Sequence, residues 1–259
     1  MLINKGVLKF VYSALLTGMP SLTYNPINKN ILHAAFDVNQ YSTYLNFRLN
    51  DNEINTITKF IEKNNDDFEI AKVELLQNRD DKDYFLSVNI YNCSSPIFSF
   101  IDENYVTRCE LNVYVYDKNH EKSTLILDYT SNQLSLDPEN LFKPGKEIIF
   151  KKQDNIISGS TNNDNFKLKF NYDYQNRLVN TKLSKDIIKS TDKIYYNNGI
   201  YDKVYYDSTL IDNQIICCQD FNIEFYFLGL DLADINSVFY FKNKINFVGG
   251  LWFNLYNQI

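Results

Sequence analysis

Glycine, proline, histidine and cysteine are all scarce in this chain, and each scarcity removes a class of chemistry. Only 8 glycines and 5 prolines occur in 259 residues. Phosphate-cradling loops need clustered glycines at the start of a helix, so neither a dinucleotide nor a P-loop fingerprint can be built, and the βαβ alternation that would carry one is missing. The two histidines, His33 and His120, have no nucleophile at motif spacing, and no GxSxG or HExxH occurs. The four cysteines, Cys93, Cys109, Cys217 and Cys218, form no CxxC; they read as reduced, mostly buried thiols, with no metal or cofactor expected.

Long apolar runs and a basic excess are missing too. No stretch reaches the roughly 18 apolar residues that a spanning helix needs, so no membrane span is expected. Residues 7–19 are mildly apolar, but Lys9, Tyr12 and Ser13 interrupt them. They read as a short helix or buried lead-in and not as a signal peptide, which favours a cytoplasmic over a secreted chain. Lysine and arginine number 26 against 32 acidic residues, and 26 − 32 leaves −6. A chain of that sign has no general attraction for nucleic acid, so none is expected as a partner.

What is present is aromatic and strand-like. Twenty tyrosines and 19 phenylalanines suit a pleated, half-buried surface. In residues 41–49, Tyr41, Thr43, Leu45, Phe47 and Leu49 share one face and Ser42, Tyr44, Asn46 and Arg48 the other. Residues 51–63 are the best helix: Asn50 or Asp51 can cap it, and Ile54, Ile57, Phe60 and Ile61 make one apolar stripe. Strands are expected at 31–38, 68–76, 83–92, 147–151, 154–159 and 166–170, with a short helix near 184–190. A tyrosine-rich strand pair follows at 195–206, then a strand at 221–227. A turn of helix at 231–236 precedes strands at 237–242, 244–248 and 250–256, with a tight turn at Gly249-Gly250. Residues 20–30 read as loop. The expected fold is α+β, predominantly antiparallel β: a single barrel-like or cone-like domain over residues 1–259, with a few short helices. A boundary near 175–190 is the alternative.

The most informative stretch is a hairpin within 108–130, turning at Asp117-Lys118-Asn119-His120. Leu111, Val113 and Val115 face one way with Leu125, Leu127 and Tyr129 on the return strand. Glu110, Asn112, Tyr114 and Asp128 gather on the other side, with Arg108 beside them. Glu110 and Asp128 could hold a ligand or share a proton, Arg108 could bind an anion, and Glu103 lies nearby. The competing reading is a solvated sheet face with a cross-strand ion pair. Asp137-Pro138-Glu139-Asn140 could supply oxygen ligands to a cation, but it reads more simply as a turn.

The order helix 51–63, strand 68–76, strand 83–92, loop, then a strand opening Arg108-Cys109-Glu110, resembles the acetoacetate decarboxylase-like superfamily over residues 40–175. Glu110-Leu111-Asn112-Val113-Tyr114-Val115 is similar to the segment that opens the cavity-lining strand in its non-decarboxylase branches. The resemblance implies a cone-like β fold around an internal cavity. The family's decarboxylases carry a Gly-x-Pro-Lys run there, whose lysine forms a Schiff base; here Asn112 to Tyr116 offer no Gly, Pro or Lys. The nearest lysine, Lys118, falls in the turn, where solvation keeps an amine protonated.

The function expected on these grounds is small-molecule binding, through Arg108, Glu110, Asn112, Tyr114 and Asp128, with no catalytic residue named. The alternatives are a β-rich assembly or coat subunit, marked by a long exposed edge or aromatic patch, and an enzyme of unrecognised type. The sequence is compatible with a homo-oligomer.

Overall fold

One strand organises the architecture. The computed structural model describes residues 22–24, 31–64, 67–77, 81–94, 106–132, 147–162, 165–173, 182–190, 194–196, 201–206, 216–217, 221–232, 234–241 and 245–252. Within them β1 (Leu22–Tyr24) precedes β2 (Ile31–Arg48), and α1 (Asp51–Asn64) follows. Then come β3 (Glu69–Ile70), β4 (Val73–Glu74), β5 (Lys82–Asp83), β6 (Phe85–Ser94), β7 (Val106–Tyr116) and β8 (Lys122–Ser131). Next are β9 (Ile148–Gln153), β10 (Ile156–Asn162), β11 (Phe166–Asp173), α2 (Lys185–Ser190), β12 (Ile194–Tyr196), β13 (Tyr201–Tyr206) and β14 (Ile216–Cys217). β15 (Phe221–Phe227), β16 (Leu230–Asp231), β17 (Ile235–Phe241) and β18 (Ile245–Trp252) complete the set. No described helix is long and apolar enough to cross a membrane.

β2 is 18 residues long and pairs along both edges. One edge carries β1 and β6, the other β18 on the N-terminal half and β17 on the C-terminal half, all antiparallel. From β6 the large sheet continues through β7 and β8 to β12, which joins β8 in parallel. A smaller antiparallel sheet runs β16-β15-β11-β10-β9. Among the described residues neither sheet closes on itself through strand pairing.

The hydrophobic core lies between the two sheets. Leu45 and Phe47 from β2, Leu86, Val88 and Ile90 from β6, and Leu111, Val113 and Val115 from β7 all point into it. From the small sheet come Phe166, Leu168, Phe170 and Tyr172, alternating with exposed Lys167, Lys169 and Asn171. Phe47 and Phe225 meet across the layers with ring centroids 4.9 Å apart. The Thr43 hydroxyl and the Tyr172 phenol share a 2.6 Å hydrogen bond beside them. Burying each of these large side chains contributes about 1.5–3 kcal/mol. α1 seals one end: Ile57 and Ile61 are buried, and Phe60 sets its ring edge-on to Phe227 at 5.8 Å. Its N-terminus is a capping box, since Asn50 Oδ1 accepts from the Asn52 and Glu53 amides and Glu53 Oε2 accepts from the Asn50 amide.

Several expectations need correction. The segments 31–38 and 41–49 are one bulged strand, because neighbours on both edges hold it extended. Leu22–Tyr24 is a strand, where a loop was expected. Residues 68–76 break into β3 and β4, whose partners differ, β7 for one and β5 for the other. The two tyrosine-rich strands do not pair with each other: β12 joins β8 and β13 joins β18. Where a turn of helix was expected at 231–236, the described residues form strand ends: β16 returns on β15, and β17 begins at Ile235. Gly249 and Gly250 make no turn, since both sit inside β18, paired to β2 on one side and β13 on the other. The lead-in at 7–19 lies outside the described residues.

α2 is held by its ends. Ser184 caps it, accepting from the Ile187 amide and donating to the Glu74 carbonyl. Asp186 Oδ2 receives Lys122 Nζ at 2.6 Å and the Glu74 amide at 3.3 Å, with Lys82 Nζ at 3.8 Å. Burial pushes this carboxyl up, but the Lys122 hydrogen bond, the Glu74 amide and both lysine charges outweigh it and hold it below its ordinary 3.8. A depressed folded value stabilises fully above the ordinary one and is lost as pH falls through the folded one. Asp186→Asn is therefore expected to cost about 0.5–1 kcal/mol at neutral pH, the scale of a part-exposed pair, and nothing at strongly acidic pH. Denaturant midpoints of both proteins against pH measure this.

The small sheet has one tight contact. Gly159 lies opposite Phe150 and Phe170, and a Cβ there would meet Phe170 Cε1 at 2.5 Å and the Ile149 carbonyl oxygen at 3.2 Å. The Phe170 ring is buried and stacked on Tyr172 at 6.1 Å, so it has little room to yield. Gly159→Ala is expected to destabilise by about 1–3 kcal/mol in chemical denaturation.

Candidate functional site

Strand register decides what lies beside what on the face of the large sheet averted from the core. Residues paired in register point to the same side. Thr43, Ile90 and Cys109 make one core-facing row, and Leu45, Val88 and Leu111 the next. Alternating with them and facing away, Ser42, Tyr91, Arg108 and Ser131 form one row and Tyr44, Asn89, Glu110 and Tyr129 a second. Asn46, Ser87, Asn112 and Ile126 form a third, and Tyr114 faces Thr124 beyond it.

These rows are polar apart from Ile126, and most of their side chains are buried, with Tyr44, Tyr91, Arg108, Glu110 and Tyr129 half-buried. Ser42, Asn46, Ser87, Asn89, Asn112, Tyr114, Thr124 and Ser131 all fall among the buried residues. Buried polar groups need partners, and most have them. Asn46, fully buried, donates from Nδ2 to the Ser237 carbonyl and hydroxyl at 3.3 Å and accepts from the Ser87 hydroxyl at 2.8 Å. Arg108 Nε donates to Glu110 Oε1 at 2.6 Å, and the Tyr91 hydroxyl donates to the same oxygen at 2.8 Å. Both charged side chains are nearly buried, at 14% and 12% exposed. The guanidinium also lies over the Tyr129 ring, 4.3 Å from its centroid. This is a desolvated, charge-assisted network. Among the described residues, two buried atoms on the same face lack a hydrogen-bond partner: Ser42 Oγ and Asn89 Oδ1.

Arg108, Glu110, Asn112 and Tyr114 therefore share a face, but Asp128 does not join them. The β7–β8 register slips between Leu111 and Asn112, so that Asn112 opposes Ile126 while Leu111 opposes Asp128. Leu127 is the extra residue, a bulge that the plain alternation of Thr124 to Asp128 does not announce. Beyond it, Asp128 sits on the small-sheet side, accepting at 2.8 Å from Asn165 Nδ2 just before β11. Tyr129 takes the place beside Glu110 instead of facing the core.

The turn of the hairpin is built around buried Asp117. Its Oδ1 accepts from the Asn119 and Glu121 amides, and its Oδ2 from the Tyr195 hydroxyl at 3.1 Å. Tyr195 also packs its ring on Phe68 at 5.0 Å, a structural role. Lys118 and His120 are exposed in this turn, away from the polar face. Cys109 is buried on the core side, and burial first, then the charges of Glu110 and Asp128, push its thiol well up. At neutral pH it is a buried, protonated thiol. β6 and β7 do meet, but Cys109 opposes Ile90, and Cys93 opposes Val106. Among the described residues no group of three or more His, Cys, Asp or Glu could hold a metal. Glu103 and 137–140 lie outside the described residues, as does the His33 side chain.

The residues missed by sequence reasoning are Ser42, Asn46, Ser87, Asn89 and Tyr91. Their alternation was legible, but the burial of Ser42, Asn46, Ser87 and Asn89 was not. One signal was present in their type: the averted rows carry Ser, Asn and Tyr, whereas the solvated outer face of the small sheet carries Lys151, Lys167, Lys169 and Glu224.

No family model and no curated protein matches the chain. Among solved structures it distantly resembles an acetoacetate decarboxylase-like enzyme from Sphingomonas wittichii RW1, at 8% identity and a TM-score of 0.46, covering 88% of this chain and 94% of that one. It is also similar to a protein designated AttH from Nitrosomonas europaea, at 9% identity and a TM-score of 0.27, over 87% of this chain and 53% of the other.

Proposed function

We propose that the protein binds a small molecule on the core-averted face of the large sheet, through Arg108, Glu110, Asn112 and Tyr114, within an acetoacetate decarboxylase-like fold that lacks the Schiff-base lysine. The observation that carries this reading is a sheet face that is polar and buried at once. A face exposed to water needs no such closed network, and a face packed on a second apolar layer would not be lined by Ser, Asn and Thr. Concave sites with a few fixed polar groups among aromatics have this composition.

The cone-like curvature belongs to the same proposal. The path β8-β7-β6-β2-β18-β13 has β12 attached at its first strand, and β12 and β13 lie in contact. A sheet whose two ends approach in this way supports a surface curled around the averted face. The core shared by both sheets supports reading the chain as one β-rich unit. The assembly-subunit alternative is no better supported: the exposed large hydrophobics Ile149, Ile156 and Tyr226 share the outer face of the small sheet, but Lys167, Lys169, Ser160 and Asn162 stand between Tyr226 and Ile149.

A fragment library screened by ligand-observed NMR tests the reading. Hits are expected to weaken by about five- to tenfold in Glu110→Gln and Asn112→Leu, the loss of one buried hydrogen bond. Glu224→Gln, on the solvated face of the small sheet, is expected to change nothing. An absence of hits, or hits indifferent to Glu110 and Asn112, overturns it.

A further inference from the structure

The charges and unpartnered atoms of the averted face define which ligand chemistry it accepts. Arg108 and Glu110 are bonded to each other at 2.6 Å, so neither is a bare charge. A carboxylate approaching Arg108 meets Glu110, and an ammonium approaching Glu110 meets Arg108; burying either ion without a counter-charge of its own is costly. Asp128, which could have tipped this balance, lies on the other side of the sheet beyond the Leu127 bulge.

Beside the pair stand the two unsatisfied atoms. Asn89 is directly opposite Glu110 across β6 and β7 and 4% exposed. Ser42 is opposite Tyr91, the tyrosine bonded to Glu110, and 2% exposed. Asn89 and Ser42 are diagonal neighbours across β2 and β6, a separation of about 7–8 Å or somewhat less between Cβ atoms, so both border one patch. A buried amide oxygen and a buried hydroxyl without partners are each unfavourable, and they are relieved by a group that brings hydrogen-bond donors. A side-chain amide and a hydroxyl each both donate and accept, so the complementary group also does both, without net charge.

We propose that Asn89 and Ser42 form a recognition subsite for an uncharged group that donates and accepts hydrogen bonds, of the carboxamide class, and that this subsite rejects carboxylates. The inference rests on the small-molecule reading above and adds the ligand class. Asn89 pairs with the carboxamide edge to edge, Ser42 completes the donor set, and the Arg108–Glu110 pair stays intact as a neutral wall.

Benzamide and its isostere benzoate, titrated into the full chain by ligand-observed NMR, test it. Benzamide is expected to bind and benzoate to bind at least about tenfold more weakly, a difference of roughly 1.4 kcal/mol. Asn89→Leu, similar in shape, is expected to weaken benzamide by about tenfold or more, and Ser42→Ala by a smaller factor. With Asn89 Oδ1 unpaired among the described residues, Asn89→Leu is expected to unfold no earlier than the parent in denaturant; earlier unfolding marks a structural asparagine and overturns the proposal. Benzoate binding as well as benzamide overturns the carboxamide class and leaves the binding face standing. Benzamide binding that ignores both substitutions places its site elsewhere and overturns the subsite. If neither compound binds, the carboxamide subsite falls, while the binding-face reading is decided separately by the fragment screen.

Discussion

Two-sided burial of β2, β6 and β7 is the constraint on which the rest of the structure depends. The ladder hydrogen bonds of these strands satisfy the backbone, so the chain can leave water on both faces without orphaned amides. The side chains then divide the work. On one face they are Leu, Val, Ile and Phe, packed against the aromatic layer of the small sheet. On the other they are Ser, Asn, Thr, Tyr and one Arg–Glu pair, which tolerate burial through hydrogen bonds. The first face supplies the driving force of folding. The second spends part of it, since each polar group there must be matched to stay neutral in free energy.

The matching is specific where it can be followed. Asn46 ties three strands together, linking Ser87 on β6 to Ser237 on β17. Glu110 gathers Arg108 and Tyr91, so its charge is balanced within β6 and β7. The Leu127 bulge is the geometric device that keeps a second carboxylate away. Without it, strict alternation would set Asp128 beside Glu110 and give the face a net negative charge. With it, Asp128 goes to Asn165 and Tyr129 comes in as a platform for the guanidinium. A one-residue insertion in one strand thus changes the electrostatics of a whole surface.

Much of this was legible from residue types. The 3.6-residue stripe of Ile54, Ile57, Phe60 and Ile61 and the capping signal at Asn50 identify α1, because a helix end and a helix face are local properties. The alternation in 41–49, 85–91 and 108–116 identifies the strands and sorts their core-facing residues correctly. The failures are non-local. Gly249-Gly250 looks like a turn in isolation, yet two neighbouring strands hold it straight. Two nearby tyrosine-rich strands look like a hairpin, yet each finds its partner far away in sequence.

The sequence by itself determined that this is an antiparallel β protein with few helices, which side chains drive its core, and that the strand from Arg108 to Tyr116 carries no lysine. Those follow from composition and periodicity, which are written residue by residue. Only the tertiary structure decided that the polar side of the same strands is also buried, that Asn89 and Ser42 join Glu110 there, and that Asp128 does not. Burial depends on what covers a surface, and register depends on the neighbouring strand; neither is a property of the segment alone.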